Sequence, residues 1–197
     1  MAARSAAVVG ALLLAWASQA TCFSAEGENT PSGYKRVEPA KAAFACEVPS
    51  DWAPFRDSHD EERTKIFGLW LTGPKGDEPI APHISLRYFT AENSLFPSAA
   101  AYLKRQLQPG IVQVRGEKTS AVAQIKVGGL AAKTFTRDTF EYWPPESLDT
   151  RQIKFRQEYV VMERAGGFYV LIFAAPTSHF ENLRPVFQHV LDTFRPK

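Results

Sequence analysis

Apolar residues fall into strand-like and helix-like periods from Phe44 to the end of the chain, with turn residues between them. Phe44–Val48 is a short apolar run ended by Pro49-Ser50-Asp51, which predicts a strand and a turn. In Lys65–Thr72, Ile66 and Trp70 share one face of an extended chain and Phe67, Leu69 and Leu71 the other. His83–Phe89 alternates Ile84, Leu86 and Tyr88 with Ser85 and Arg87, the pattern of a half-buried strand. Ser98–Gln108 changes period: Ala99, Leu103 and Leu107 recur every four residues and Tyr102 widens the stripe, so a helix is expected. Lys104 and Arg105 suit its C-terminal dipole, and Pro109-Gly110 stop it.

Strands return in pairs. Ala121–Val127 and Leu130–Phe140 flank Gly128-Gly129, a two-residue turn that tolerates positive φ at both positions. Ile153–Glu163 and Phe168–Ala174 flank Gly166-Gly167 in the same way. The segment Phe168–Ala174 is apolar on both faces, which requires cover on both sides of a sheet. The expected fold class is α+β: an α/β/α sandwich with a central antiparallel sheet flanked by helices. A last helix begins at Thr177-Ser178, where Ser178 and Glu181 form a capping-box pattern. Its core stripe is Phe180, Leu183, Phe187, Val190, Leu191 and Phe194, and Pro185 either kinks it or marks the first turn of its main segment.

The amino terminus follows other rules. Arg4 precedes an apolar run, Ala6–Ala17, that is too short for a hydrocarbon core needing about 20 residues. Ser18-Gln19-Ala20 then supplies small residues at the −3 and −1 places, so residues 1–20 read as a signal peptide of an exported protein. Residues 21–42, polar and containing Gly, Pro and charge, read as a flexible linker, and 43–197 as one domain of ordinary size. Cys22 is a candidate lipid-attachment site, although Gln19 and Thr21 hold places where a lipoprotein box has Leu and a small residue. Export leads to the periplasm or the extracellular space, and to a membrane only if Cys22 is acylated. Cys46 reads as a small apolar core residue, with pairing to Cys22 as the alternative in an oxidising compartment.

Composition adds exclusions. Formal charge is +2 and basic residues cluster only in pairs such as Lys35-Arg36 and Lys104-Arg105, which argues against nucleic acid. There is no zinc-type Cys/His spacing, Gly-x-Ser-x-Gly elbow or phosphate loop, so no catalytic residue, metal ligand or cofactor is assigned. His83 is expected at an edge or turn, His179 on the first helical turn, and His189 on the outer side of the last helix. Two polar or aromatic clusters stand out. Asp57–Glu62, with His59, reads as a solvated loop that would hold a divalent cation in the alternative. Tyr142 and Trp143, beside Pro144-Pro145 at a hairpin tip, are the candidate partner contact; the rarity of large exposed aromatics favours their folding back as a plug.

Phe44 followed by Val48-Pro49-Ser50-Asp51-Trp52 resembles the opening of PsbP-like proteins, with Asp51 in place of the usual Gly. The closing block is similar too: Gly167-Phe168-Tyr169-Val170-Leu171, Ala175-Pro176, Phe180, Phe187, Val190-Leu191 and Phe194-Arg195, with Thr193 in place of the common Ser. The resemblance, over residues 43–197, implies the Mog1/PsbP/DcrB-type sandwich. Its members include extrinsic photosystem subunits, bacterial envelope proteins and a nuclear-transport regulator, mostly non-catalytic binding or assembly modules. It therefore implies an exported, non-enzymatic module acting on an envelope or extracellular protein partner; the rival is a small-ligand or metal-binding protein using the His59 segment.

Intact mass of the mature protein from its native host tests the amino-terminal reading. Unmodified chain starting at Thr21 is expected from ordinary secretion, and a chain starting at acylated Cys22 replaces that reading with a lipoprotein.

Overall fold

The structure is a computed structural model and describes residues 33–108, 115–146 and 148–197. Residues 1–20, which read as a signal peptide, and Cys22 with the rest of 21–32 of the expected linker lie outside the described residues. In chain order the elements are β1 (Tyr34–Val37), β2 (Phe44–Pro49), β3 (Ala53–Phe55), α1 (Ser58–Thr64), β4 (Ile66–Thr72), β5 (His83–Thr90), α2 (Ala99–Leu107), β6 (Lys118–Thr119), β7 (Ala123–Val127), β8 (Leu130–Trp143), β9 (Arg151–Arg164), β10 (Gly167–Pro176), α3 (Phe180–Thr193) and β11 (Arg195–Pro196).

Eight strands form an antiparallel sheet in the order β3-β4-β5-β10-β9-β8-β6, with β7 also on β8, and β1-β2-β11 form a small sheet. β10 lies at the centre and is buried on both faces. Tyr169, Leu171, Phe173 and Ala175 face α3 and β2, while Phe168 and Val170 face α2. Each large apolar side chain closed off this way contributes roughly 1.5–3 kcal/mol relative to exposure. The chain is therefore the α/β/α sandwich expected, with the small sheet and α3 side by side on one face.

α3 packs the stripe Phe180, Phe187, Val190, Leu191 and Phe194, with Leu183 half-buried at its margin. Cys46 is buried in β2 as an apolar residue, and burial pushes its thiol up to about 12. Pairing it with Cys22 would require opening the layer beneath the small sheet.

Turn chemistry explains several boundaries. Gly128 and Gly129 have φ of 56° and 82°, the doubly positive turn foreseen between β7 and β8. The next turn is one residue earlier than expected: Arg164 pairs with Gly167, so Ala165-Gly166 makes the bend and Gly167 already belongs to β10. Ser98 caps α2, its Oγ accepting from the Ala101 N–H at 3.1 Å. α3 starts differently from its sequence pattern. His179 is the cap residue, its N–H donates to the Pro176 carbonyl, Ser178 Oγ donates to Glu78 at 2.9 Å, and Glu181 receives Arg156. The chain turns tightly off β10, which sends Ser178 toward the 73–82 loop instead of the helix N–H groups. Pro185 sits inside α3 on an exposed position, not in its first turn.

The fold also begins earlier than Ala43. Tyr34–Val37 pairs with β2, and the Tyr34 ring lies 3.9 Å from the His189 imidazole. Lys35 and Arg36 made this segment look like tether, because a polar edge strand and a linker share a composition.

Where α3 meets β8 and β9, the packing turns from apolar to ionic. Arg184 donates to both oxygens of Glu158 at 2.8 and 3.2 Å, and Arg156 to both oxygens of Asp138 at 2.7 and 3.2 Å. Both carboxylates are buried, whereas both guanidinium groups reach solvent. Removing the arginine leaves a buried charge uncompensated. Arg184→Ala should therefore cost about 2 kcal/mol in urea unfolding, half-screened by solvent, whereas Arg184→Met with Glu158→Leu should come close to wild type.

Candidate interaction surface

β8 and β9 are longer than the sheet that carries them. β10 stops pairing with β9 at Phe155, and β6 pairs only with Arg137 and Asp138 of β8. Beyond these limits four pairs remain, from Phe140↔Lys154 to Trp143↔Arg151, with no other strand beside them among the described residues, although the Lys154 carbonyl accepts the Thr177 N–H at 2.9 Å. At 3.4 Å per residue the hairpin projects roughly 13 Å as a two-stranded arm. Its root is braced where Ile153 and Phe155 are buried beneath Ile80 of the 73–82 loop.

The arm carries the aromatic candidates. Tyr142 and Trp143 are successive residues, so they leave opposite faces. Tyr142 is 50% exposed and accepts a hydrogen bond from Gln152 at 3.1 Å. Trp143 is 36% exposed, with the Lys75 ammonium 5.6 Å from its ring centroid. Neither closes the sheet end as a plug, because the pairing carries both past the end of β10. Leu148, which sequence reasoning did not single out, is fully exposed at the tip. The available signal was an isolated Leu within a Pro, Glu, Ser and Asp stretch that no apolar period explains.

Asp57–Glu62 is not a solvated loop but the start of α1. Asp57 caps the helix, its carboxylate accepting from the Asp60 N–H at 3.0 Å. Glu61 is buried and holds Arg56 through both its oxygens, at 3.2 and 2.6 Å. It also accepts the Gly68 N–H at 2.9 Å, on a stretch of β4 that β3 does not reach. A Cβ at Gly68 would overlap the Leu86 carbonyl oxygen, so this close approach of β4 to β5 admits only glycine. Asp60 pairs with Arg63, and Glu62 with Lys41 and Lys65. Each carboxylate of the segment thus has a structural task, and among the described residues no group of His, Cys, Asp and Glu is arranged to hold a metal ion. The metal-binding alternative loses the loop on which it rested.

The histidines also differ from expectation. His83 opens an interior strand, stacked on Trp70 with ring centroids 4.2 Å apart, and burial lowers its pKa to about 4. His189 is half-buried, 2.7 Å from Glu47 Oε2 across the α3–β2 seam. His179 is the α3 cap residue described above, and His59 is exposed on α1. No helix among the described residues is long and apolar enough to cross a membrane.

The chain matches no protein-family model and no curated protein sequence. Solved structures do share its fold. The solution structure of cyanobacterial PsbP (CyanoP) from Synechocystis is similar at a TM-score of 0.51 and 10% identity, covering 87% of this chain and 96% of CyanoP. LpqN of Mycobacterium tuberculosis, described as involved in cell envelope biogenesis, is similar at 0.45 and 17% identity, over 82% of this chain and 89% of LpqN. The protein of unknown function PA94 from Pseudomonas aeruginosa gives 0.46 and 17%, over 83% and 97%. The chain has a PsbP-like fold, as its opening and closing segments suggest.

The depressed His83 pKa makes stability depend on pH. Between the ordinary value of 6.5 and about 4 the unfolded chain binds a proton that the folded one refuses, so stability falls as pH drops through that window. The loss should reach about 3 kcal/mol by pH 4. The Arg156 guanidinium holds the Asp138 carboxyl below its ordinary value, which adds a further loss at lower pH. Urea midpoints from pH 7 to 4 should show the decline, and His83→Phe, which keeps a ring on Trp70, should flatten it.

Proposed function

We propose that this protein is an exported, non-enzymatic PsbP-like module that binds, or helps to assemble, a protein partner in the cell envelope or outside it. The observation that carries this reading is the β8–β9 arm, which holds Tyr142, Trp143 and Leu148 beyond the end of the sheet. Large rigid aromatics lose little conformational freedom on binding and dominate protein interfaces. A braced root with exposed apolar residues toward its tip suits contact with a partner better than it suits stability, since Leu148 is fully exposed and half of Tyr142 faces solvent. Export is supported by the basic, apolar and small-residue sequence of residues 1–20. Anchoring at a membrane surface would need acylation of Cys22.

A photo-crosslinking residue placed at Leu148 in the native host, followed by mass spectrometry of the product, tests the arm. A discrete adduct with one envelope or extracellular protein is expected. Trp143→Ala should weaken binding of that protein roughly thirtyfold with the fold retained by circular dichroism. Binding that survives Trp143→Ala combined with Tyr142→Ala removes the arm as the contact surface.

A further inference from the structure

On one face of the large sheet α2 packs over β9 and β10, while β7 pairs only with β8 among the described residues. The helix and that outer strand leave a cleft of about 250 Å³ between them, floored by β8 and β9. Register sets what the floor offers. Gln124, Lys133 and Val161 are cross-strand neighbours in one row, and Ala131 and Glu163 follow in the next row of the same face. One row the other way, the stacked rings of Phe135 and Tyr159, with centroids 4.6 Å apart, fill the face and end the cleft. Ala99 and Leu103, one helical turn apart, make its wall. Ala99 and Ala131 keep it open, because a larger side chain at either place would occupy the space.

Two opposite charges stand over this apolar floor. Lys133 and Glu163 both line the cleft, both are exposed, and they take diagonal places on adjacent strands. Among the described residues neither is bound to the other or to any third side chain. An ammonium and a carboxylate left unpaired beside one apolar pocket complement a molecule that carries both charges together with an apolar group. A molecule of single charge would leave one of the two unanswered. The volume falls short of the roughly 300–1,000 Å³ of drug-sized sites, which restricts the occupant to a small molecule.

We propose that this cleft binds a free α-amino acid with an apolar side chain. Lys133 takes its carboxylate and Glu163 its ammonium, while the side chain lies between Leu103 and Val161 against the two alanines. Exposed ion pairs are individually weak, so burial of the side chain supplies much of the affinity and the two charges select the zwitterion. The site is separate from the arm, and its failure would leave the partner-binding reading intact.

Titration of the full mature protein with L-leucine, followed through the backbone amide resonances of Gln124, Leu103 and Glu163, tests the proposal. Saturable shifts with a midpoint in the millimolar range are expected. Isocaproate lacks the ammonium and isoamylamine the carboxylate, and each should bind at least about threefold more weakly. Lys133→Gln and Glu163→Gln change exposed side chains and keep the fold, and each should weaken leucine about threefold. Lys133→Gln should leave isoamylamine unaffected and Glu163→Gln should leave isocaproate unaffected, since each compound lacks the group that the altered residue would hold. Ala131→Leu fills the cleft from an exposed position and should abolish the shifts. Equal binding of all three compounds, or leucine binding unchanged in Ala131→Leu, overturns the proposal. So does the absence of saturable shifts with leucine, methionine and phenylalanine up to about 20 mM.

Discussion

A strand that is apolar on both faces cannot sit at the surface of a sheet, and β10 is such a strand. Tyr169, Leu171 and Phe173 need one cover while Phe168 and Val170 need another, so two layers must be found on opposite sides. α3 and β2 supply the first and α2 the second. The neighbours β5 and β9 follow from the same demand, because only interior strands have both faces available for burial. The antiparallel pairing then distributes every residue of β4, β5, β8 and β9 between the faces by register alone. A slip of one residue would send Phe173 to the wrong layer and bring Ala174 beneath α3.

The apolar constraint weakens toward the sheet margins, and carboxylates mark where it does. Glu61 satisfies a β4 N–H that no strand reaches. Glu158 and Asp138 anchor Arg184 and Arg156 where α3 no longer covers β8 and β9. These buried acids add little net stability against apolar substitutes, but each allows one seating of the element beside it. Glu61 fixes α1 against β4, and the Arg184–Glu158 pair fixes the rotation of α3 over the sheet. Polar seams of this kind determine which parts of each face stay open. Among the described residues no strand pairs with the edges of the arm past Lys154, whose carbonyl the Thr177 N–H still reaches at 2.9 Å.

Much of this architecture was legible where one residue period dominates. Phe168–Ala174 announced two-sided burial, Ser98 and the stripe through Tyr102 gave α2, and Gly128-Gly129 gave a turn that only doubly positive φ allows. The failures share a cause. Ser178 and Glu181 match a capping box, but the residues that engage them, Glu78 and Arg156, are distant in sequence. Tyr34–Val37 gains its place only by pairing with β2, and Asp57–Glu62 becomes helical around an ion pair to Arg56 and the backbone of Gly68. Local pattern cannot register an interaction whose second partner lies elsewhere in the chain.

The same separation explains why fold was easier to read than function. The residues that resemble the PsbP-like pattern, from Val48 and Trp52 to Phe187 and Phe194, are core residues whose identity is set by volume and burial. They specify the sandwich and say nothing of what its surface meets. Tyr142, Trp143 and Leu148 are free of that constraint, because the arm begins where pairing with β10 ends. In sequence such residues look like ordinary members of their elements. Their distinction is three-dimensional, an apolar side chain that the fold leaves exposed.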